Sequence, residues 1–410
     1  MRTATSRNVT GAVLLGLLGS AIGCRSAPEN AQPLLFFPAP PDAPRVQFLT
    51  WASGPQEVER KRSSFEDFVL GEQAPVIRPI DKPYGVAARD GVVYVCDTKG
   101  LGVCRLDYKD KTYSVIGTQG PGRLRKPINI VIDDLGYKFV VDTVRRQVVV
   151  FGPDDQYVTA HNVPEPCRPV DVALYGNELY VLDNDETCQI VVLDRGTGEV
   201  LRTFGGPGGE PGQFRIPNSL CISPDGYVYV SDTHNFRIQK LTRDGTPVWT
   251  VGVPGYRLGQ FGRPRGIRVG PDGIVYVVDG ATELVQMFDP KGEILMRFGG
   301  PGTIPGSMIL PATLTADKTS LPYFAQYVHK DFKVDYLLFV TNQYGPYLVQ
   351  VYAFGAFPEG YKLAESQIAT LPPMAPQEET APGEGAAPPE TPGPPPASRP
   401  APEGHETETP

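Results

Sequence analysis

Residues 225–241, DGYVYVSDTHNFRIQKL, run through a turn, an alternating strand closed by Asp232, a short polar loop and a second alternating strand. Alternation of this period predicts short strands with one packed face rather than helices. The same succession recurs as DGVVYVCDTKGLGVCRL, LGYKFVVDTVRRQVVVF, GNELYVLDNDETCQIVVL, DGIVYVVDGATELVQMF and YLLFVTNQYGPYLVQVY. The closing residues are Asp97, Asp142, Asp183, Asp232, Asp279 and Asn342, separated by 45, 41, 49, 47 and 63 positions. A proline precedes each copy, at Pro83, Pro127, Pro169, Pro217, Pro264 and Pro311. Two independent markers therefore keep one phase over six copies.

A period in the forties with four short strands per unit predicts an all-β, six-bladed β-propeller of four-stranded antiparallel blades. In the copy beginning at Pro217, strand a is SLCIS, strand b YVYVS, strand c RIQKL and strand d PVWTVG, with PDG and DG as the tight turns. The link VPGYRLGQFGRP recurs as GGPGGEPGQFRIP and TQGPGRLRKP. The sixth copy lacks a strand d of its own. A ring must close or leave open edges. RVQFLTWASG at 45–54 has the strand-d pattern of EILMRFGG, so the N-terminal strand is expected to close the last blade, with YKLAESQIATL at 361–371 as the alternative. Two insertions interrupt the ring. SSFEDFVLGE, within 55–82, reads as a short amphipathic helix, and DKTSLPYFAQYVHKDFKVD places Tyr323, Phe324, Tyr327 and Val328 on one helical side. Either can pack on the core or present apolar surface to a partner.

The pattern Gly-x-Phe-x-x-Pro followed by PDGYVYVSDTHNFRIQKL resembles the NHL repeat, and residues 45–357 resemble a six-bladed NHL-type propeller lipoprotein of bacteria. The N-terminus adds to this. Arg2 and Arg7 precede the apolar run VTGAVLLGLLGSAIG, too short for a comfortable span, and Ala21-Ile22-Gly23-Cys24 resembles a lipobox with Ala where Leu is usual. That resemblance implies a lipoprotein signal at 1–23 and lipidation of Cys24 by several acyl chains such as palmitate, a durable membrane anchor. Arg25 and Ser26 lack the Asp that retains lipoproteins in the inner membrane, so the outer membrane is expected. Residues 24–44 read as a Pro-rich tether, 45–371 as the propeller and 372–410 as a disordered Pro/Glu-rich tail.

The 410 residues carry a net charge of −8, concentrated in that tail, which holds seven Glu against Arg399. No basic stripe accompanies the fold, which argues against nucleic acid. The cluster Ser231-Asp232-His234 suggests a triad, but sister copies place Cys96, Val141, Leu182, Val278 and Thr341 at the Ser231 position. A catalytic serine needs its imidazole and an orienting group in reach. The repeated Asp reads as structural, accepting hydrogen bonds from the amides of the loop that follows it. His161, His234, His329 and His405 fall in different regions, so no zinc site converges. Six-bladed lactonases resemble this architecture and hold calcium with channel-facing Glu, Asn and Asp. Here Asn129, Asp171 and Asn218 follow the prolines at strand-a starts and are the candidate oxygen ligands, without a Glu. Apart from that calcium reading, no cofactor is expected.

Export permits disulfides. Cys167 and Cys188 are expected on one face of the third blade, Cys96 and Cys104 across the first-blade hairpin, and Cys221 remains as a buried thiol. The resulting expectation is a membrane-tethered, non-enzymatic propeller that binds another protein of the bacterial envelope, such as an accessory subunit of a surface or cytochrome complex. The chain has no CxxCH and so no c-type haem of its own. The alternative is a calcium-dependent lactonase or hydrolase working at the channel mouth.

Overall fold

A computed structural model describes residues 34–59, 78–361 and 363. The signal segment 1–23, Cys24, most of the tether, the 60–77 part of the first insertion, His405 and the tail 372–410 lie outside the described residues. No helix among the described residues is long and apolar enough to cross a membrane.

Among the described residues there are six antiparallel sheets, five of four strands and one of five. Their first strands neighbour one another in sequence, and the sixth returns to the first, which closes the ring. The protein is a six-bladed β-propeller. The fourth blade shows why the local pattern takes this form. Strands a (Ser219–Ile222), b (Val228–Asp232), c (Arg237–Leu241) and d (Pro247–Val251) pair in order, with Cys221 opposite Tyr229 and Tyr229 opposite Lys240. Strands b and c are buried along their whole length because neighbouring blades cover both faces, whereas strand d is mostly exposed at the rim. Apolar burial is accordingly divided into six clusters among the described residues, one between each pair of adjacent blades.

The last blade combines the two ends of the fold. Strands Pro311–Asp317, Lys333–Asn342 and Val349–Ala356 are completed by Val46–Ala52, with Phe48 opposite Tyr352 and Trp51 opposite Gln350. The N-terminal strand therefore closes the ring, as its pattern predicts. Gln47 is fully buried there; its amide donates to the Tyr327 carbonyl and its oxygen accepts from the His329 amide. One feature of this edge departs from the expected Pro-rich tether. Leu35–Phe37 pairs with Val46–Phe48 as a fifth strand. Its apolar LFF is the reason, since Phe36 packs against Phe332 and Phe357.

The second insertion forms a single helical turn, Leu321–Phe324, followed by a tighter turn at Ala325–Tyr327. Phe324 is fully buried against Tyr108 and Phe339, between the sixth and first blades. The Ser320 hydroxyl accepts from the Gly91 amide of the first blade. This insertion packs on the core.

Around the axis the inner strands meet backbone to backbone. A Cβ on Gly85 would lie 2.5 Å from Asn129 Cα, and one on Gly266 2.4 Å from Thr313 Cα. Gly85→Ala is expected to lower unfolding stability by about 1–3 kcal/mol through overpacking, measured by urea denaturation. Gly176→Ala, at a turn with nothing within 4 Å, tests positive-φ strain alone for comparison.

Candidate functional site

The face on which strands a begin is organised by the repeated Asp. Asp97 accepts from the amides of Asp81 and Lys82, in the link before its blade, and of Lys99 and Gly100, in the loop after strand b. Asp142 does the same with Arg125, Lys126, Val144 and Arg145, and Asp279 with Gly262, Arg263 and Ala281. Asp183 takes the amides of Arg168 and Asp185 and the Thr187 hydroxyl. Asp232 accepts the Arg215 amide at 2.7 Å, and its other oxygen faces Asn235 Nδ2 and Arg237 Nε. Asn342 accepts from Ile309 and donates to the Tyr347 carbonyl. Each such group thus clamps two segments, the incoming link as well as the loop after it. The sequence pattern had pointed to the loop alone.

Ser231 and His234 do not form a reactive pair. Ser231 is buried and its hydroxyl donates to the Arg265 carbonyl of the next blade, while it accepts from the Ser219 amide at 3.0 Å. Thr341 plays the same part at the other end of the ring, donating to the Tyr84 carbonyl at 2.5 Å. His234 is exposed on its loop. His161 is buried with Nε2 3.0 Å from the Arg195 carbonyl, and His329 lies against Phe36, Phe357 and Tyr361. No group of three His, Cys, Asp or Glu side chains is placed to hold a metal among the described residues.

A buried polar cluster lies at the axis, from strand-a positions. Asp171, fully buried, accepts from Ser219 Oγ at 2.6 Å and from the amides of Leu220 at 2.9 Å and Val172 at 2.7 Å. Arg268 Nη1 stands 3.4 Å from its Oδ2 and 2.9 Å from the Leu220 carbonyl. The third, fourth and fifth blades are stitched together by this group. Above it, Tyr84 Oη donates to Asn218 Oδ1 at 2.7 Å, joining the first blade to the fourth. Arg265 lies 5.0 Å from the Tyr84 ring centre and donates to the Pro311 carbonyl. Asn129 is buried, its Oδ1 accepting from the Ile130 amide and its Nδ2 unpartnered.

Asn129, Asp171 and Asn218 all lie at or beside the starts of strands a. Each accepts a hydrogen bond, and a divalent ion approaching Asp171 would meet the Arg268 guanidinium. Calcium takes six to eight oxygen ligands, waters among them. Arg268 and Ser219 were not singled out by the sequence reading. The available signal was a charge at a position where sister copies carry Ala87, Val131, Ala173, Cys221 and Thr315.

Both expected disulfide pairs are corrected. Cys96, Cys104, Cys167, Cys188 and Cys221 are buried free thiols. In the first blade Cys96 stands opposite Val103 and Cys104 opposite Val95, so the two thiols point to opposite faces of the sheet. Cys96 packs between the first and second blades and Cys104 between the first and sixth. Cys167 and Cys188 are likewise separated, one packing toward the second blade and the other toward the fourth. Burial pushes the Cys104 and Cys221 thiols up to about 12 and raises Cys96 also.

With the geometry in place, comparisons with known proteins sharpen the fold. Residues 211–316, from the link into the fourth blade to the first strand of the sixth, match the SMP-30/gluconolactonase/LRE-like region. A protein of unknown function from Bacteroides thetaiotaomicron superposes with a TM-score of 0.52 at 17% identity, covering 75% of each chain. A gluconolactonase from Xanthomonas campestris superposes at 0.51 with 15% identity, covering 79% of this chain and 96% of its own. The virginiamycin B lyase of Staphylococcus aureus gives 0.47 at 16% identity, over 69% of this chain and 86% of the lyase. At these identities the likeness is one of fold.

Asp171→Ala leaves Arg268 without its carboxylate and is expected to cost about 3–5 kcal/mol of stability, as for other broken buried pairs, read by urea unfolding. In the folded chain iodoacetamide at pH 8 is expected to leave the five described cysteines unmodified and, after denaturation without reductant, to alkylate all five. A mass spectrum showing fewer than five adducts on denaturation would reinstate a disulfide.

Proposed function

We propose that this propeller is a non-enzymatic protein-binding module of the bacterial envelope, tethered to the membrane through Cys24 and serving as an accessory subunit of a surface complex. The observation that carries this reading is the axial carboxylate. In the propeller enzymes the sequence resembles, reactive groups gather at the channel mouth. In this chain Asp171 is spent on Ser219, two backbone amides and Arg268, and Tyr84 and Asn218 bond to each other above it. These bonds hold blades together and tie up most of the acceptor sites of that carboxylate. One fold of this kind serves many functions, so the site must decide. No c-type haem is expected in the chain itself, and a cytochrome complex is one class of partner that the reading admits.

The match of residues 211–316 to the gluconolactonase-like region favours a second reading, a calcium-dependent lactonase. The two separate cleanly. Calcium at 5 mM, against EGTA, is expected to leave the melting temperature unchanged, and gluconolactone to remain unhydrolysed. A stoichiometric divalent ion in the purified protein, lost in the Asn129→Ala/Asp171→Ala variant, would establish the second reading in place of the first. A pull-down from envelope membranes with the lipidated chain is expected to recover one stoichiometric protein partner; recovery of none would remove the first reading.

A further inference from the structure

The face where strands a begin carries a cation cluster of which only Arg145 bonds to the fold through its side chain among the described residues. Between the first and second blades a cleft of about 700 Å³ is lined by Leu101, Leu124, Val144 and the arginines Arg123, Arg125 and Arg145, with no carboxylate in its lining. Arg123 and Arg125 are exposed, and with the adjacent Lys126 they make no side-chain hydrogen bond or ion pair among the described residues. Arg145 braces the link by donating to the carbonyls of Pro121 and Arg123, at 3.0 and 2.7 Å, and Asp142 holds the amides of Arg125 and Lys126 from below. The charges are thus displayed on a fixed backbone. On the opposite face three arginines are matched: Arg195 pairs with Asp133, Arg105 with Asp155, and Arg89 with Asp134.

The repeats supply an internal control. Arg123-Leu124-Arg125-Lys126 corresponds to Gln213-Phe214-Arg215-Ile216, Gln260-Phe261-Gly262-Arg263 and Ser307-Met308-Ile309-Leu310. The inward residue, Leu124, Phe214, Phe261 or Met308, is buried in all four of these links. The flanking positions build the same link with one cation or none. Three neighbouring unpaired cations repel one another, and packing of the link does not require them. Beside them Leu101 and Val144 remain 44% and 54% exposed. Apolar anchors flanked by guanidinium groups are the ordinary chemistry of a protein-binding hot spot.

Resting on the binding-module reading, we propose that this cleft docks an acidic segment of the partner protein. An apolar side chain of that segment sits between Leu101 and Val144, and its carboxylates meet Arg123 and Arg125. The cluster is one compact cleft in a net-acidic chain rather than a stripe tracking a phosphate backbone, so an acidic protein segment fits it better than nucleic acid.

The test uses the purified full-length chain and fluorescence anisotropy with a labelled twelve-residue peptide of alternating Glu and Leu. The peptide is expected to bind, and to weaken as NaCl rises from 50 to 500 mM. Arg123→Glu/Arg125→Glu is expected to weaken it at least tenfold, while Arg215→Glu/Arg263→Glu, at the sister links, leaves it unchanged. The proposal is overturned if the peptide does not bind, if both double variants behave alike, or if labelled oligothymidine or phosphatidylglycerol vesicles bind the cleft as tightly. Circular dichroism confirms that the variants fold. If Arg123→Glu/Arg125→Glu still recovers the stoichiometric partner from membranes, the binding module stands and this cleft is not its docking site.

Discussion

Each blade depends on one buried group, the carboxylate or carboxamide that ends strand b. It sits where two pieces of irregular backbone, the link into the blade and the loop between its middle strands, would otherwise leave amide groups without acceptors. Buried amides without partners are costly. Asp142 and Asp97 each satisfy several at once. Because the group pins the link and the loop to one point, the proline that starts strand a arrives in the same place in every copy, and the inner strands can approach as closely as Gly85 and Asn129 do. The ring geometry follows from that repetition.

What varies between copies is the way neighbouring blades are joined. Ser231 and Thr341 join blades through hydroxyls, Asp171 and Arg268 through a buried ion pair, Arg265 through carbonyl and aromatic contacts. Joining the blades this way commits much of the carboxylate's hydrogen-bonding capacity, because Asp171 Oδ2 faces Ser219, Leu220 and Arg268 while Oδ1 takes the Val172 amide. These bonds tie the third, fourth and fifth blades together at the axis.

The outer surface of the same face is under no such constraint. Once the buried carboxylate and the inward Leu124 or Phe214 hold a link, the side chains between them project outward and can change without disturbing the blade. Charge can therefore accumulate at one link and be absent from the next.

Much of the architecture was legible from one dimension. Strand period, the two phased markers and the missing strand d together determined six blades and the closure by Val46–Ala52, since these rest on local alternation and on the need to satisfy sheet edges. Leu35–Phe37 was hidden among prolines because three residues are too few to show a period. The site was less legible. Asn129, Asp171 and Asn218 could be placed near the axis from the repeat, but whether their oxygens were free depended on Arg268 and Tyr84, which come from blades distant in sequence. The cysteine pairs failed for a related reason: a one-residue difference in register sends Cys96 and Cys104 to opposite faces. Sequence alone determined the blades, because their hydrogen bonds and apolar periods are local. Tertiary structure decided what the polar residues do, because burial and partnership are set by which blades the ring brings together.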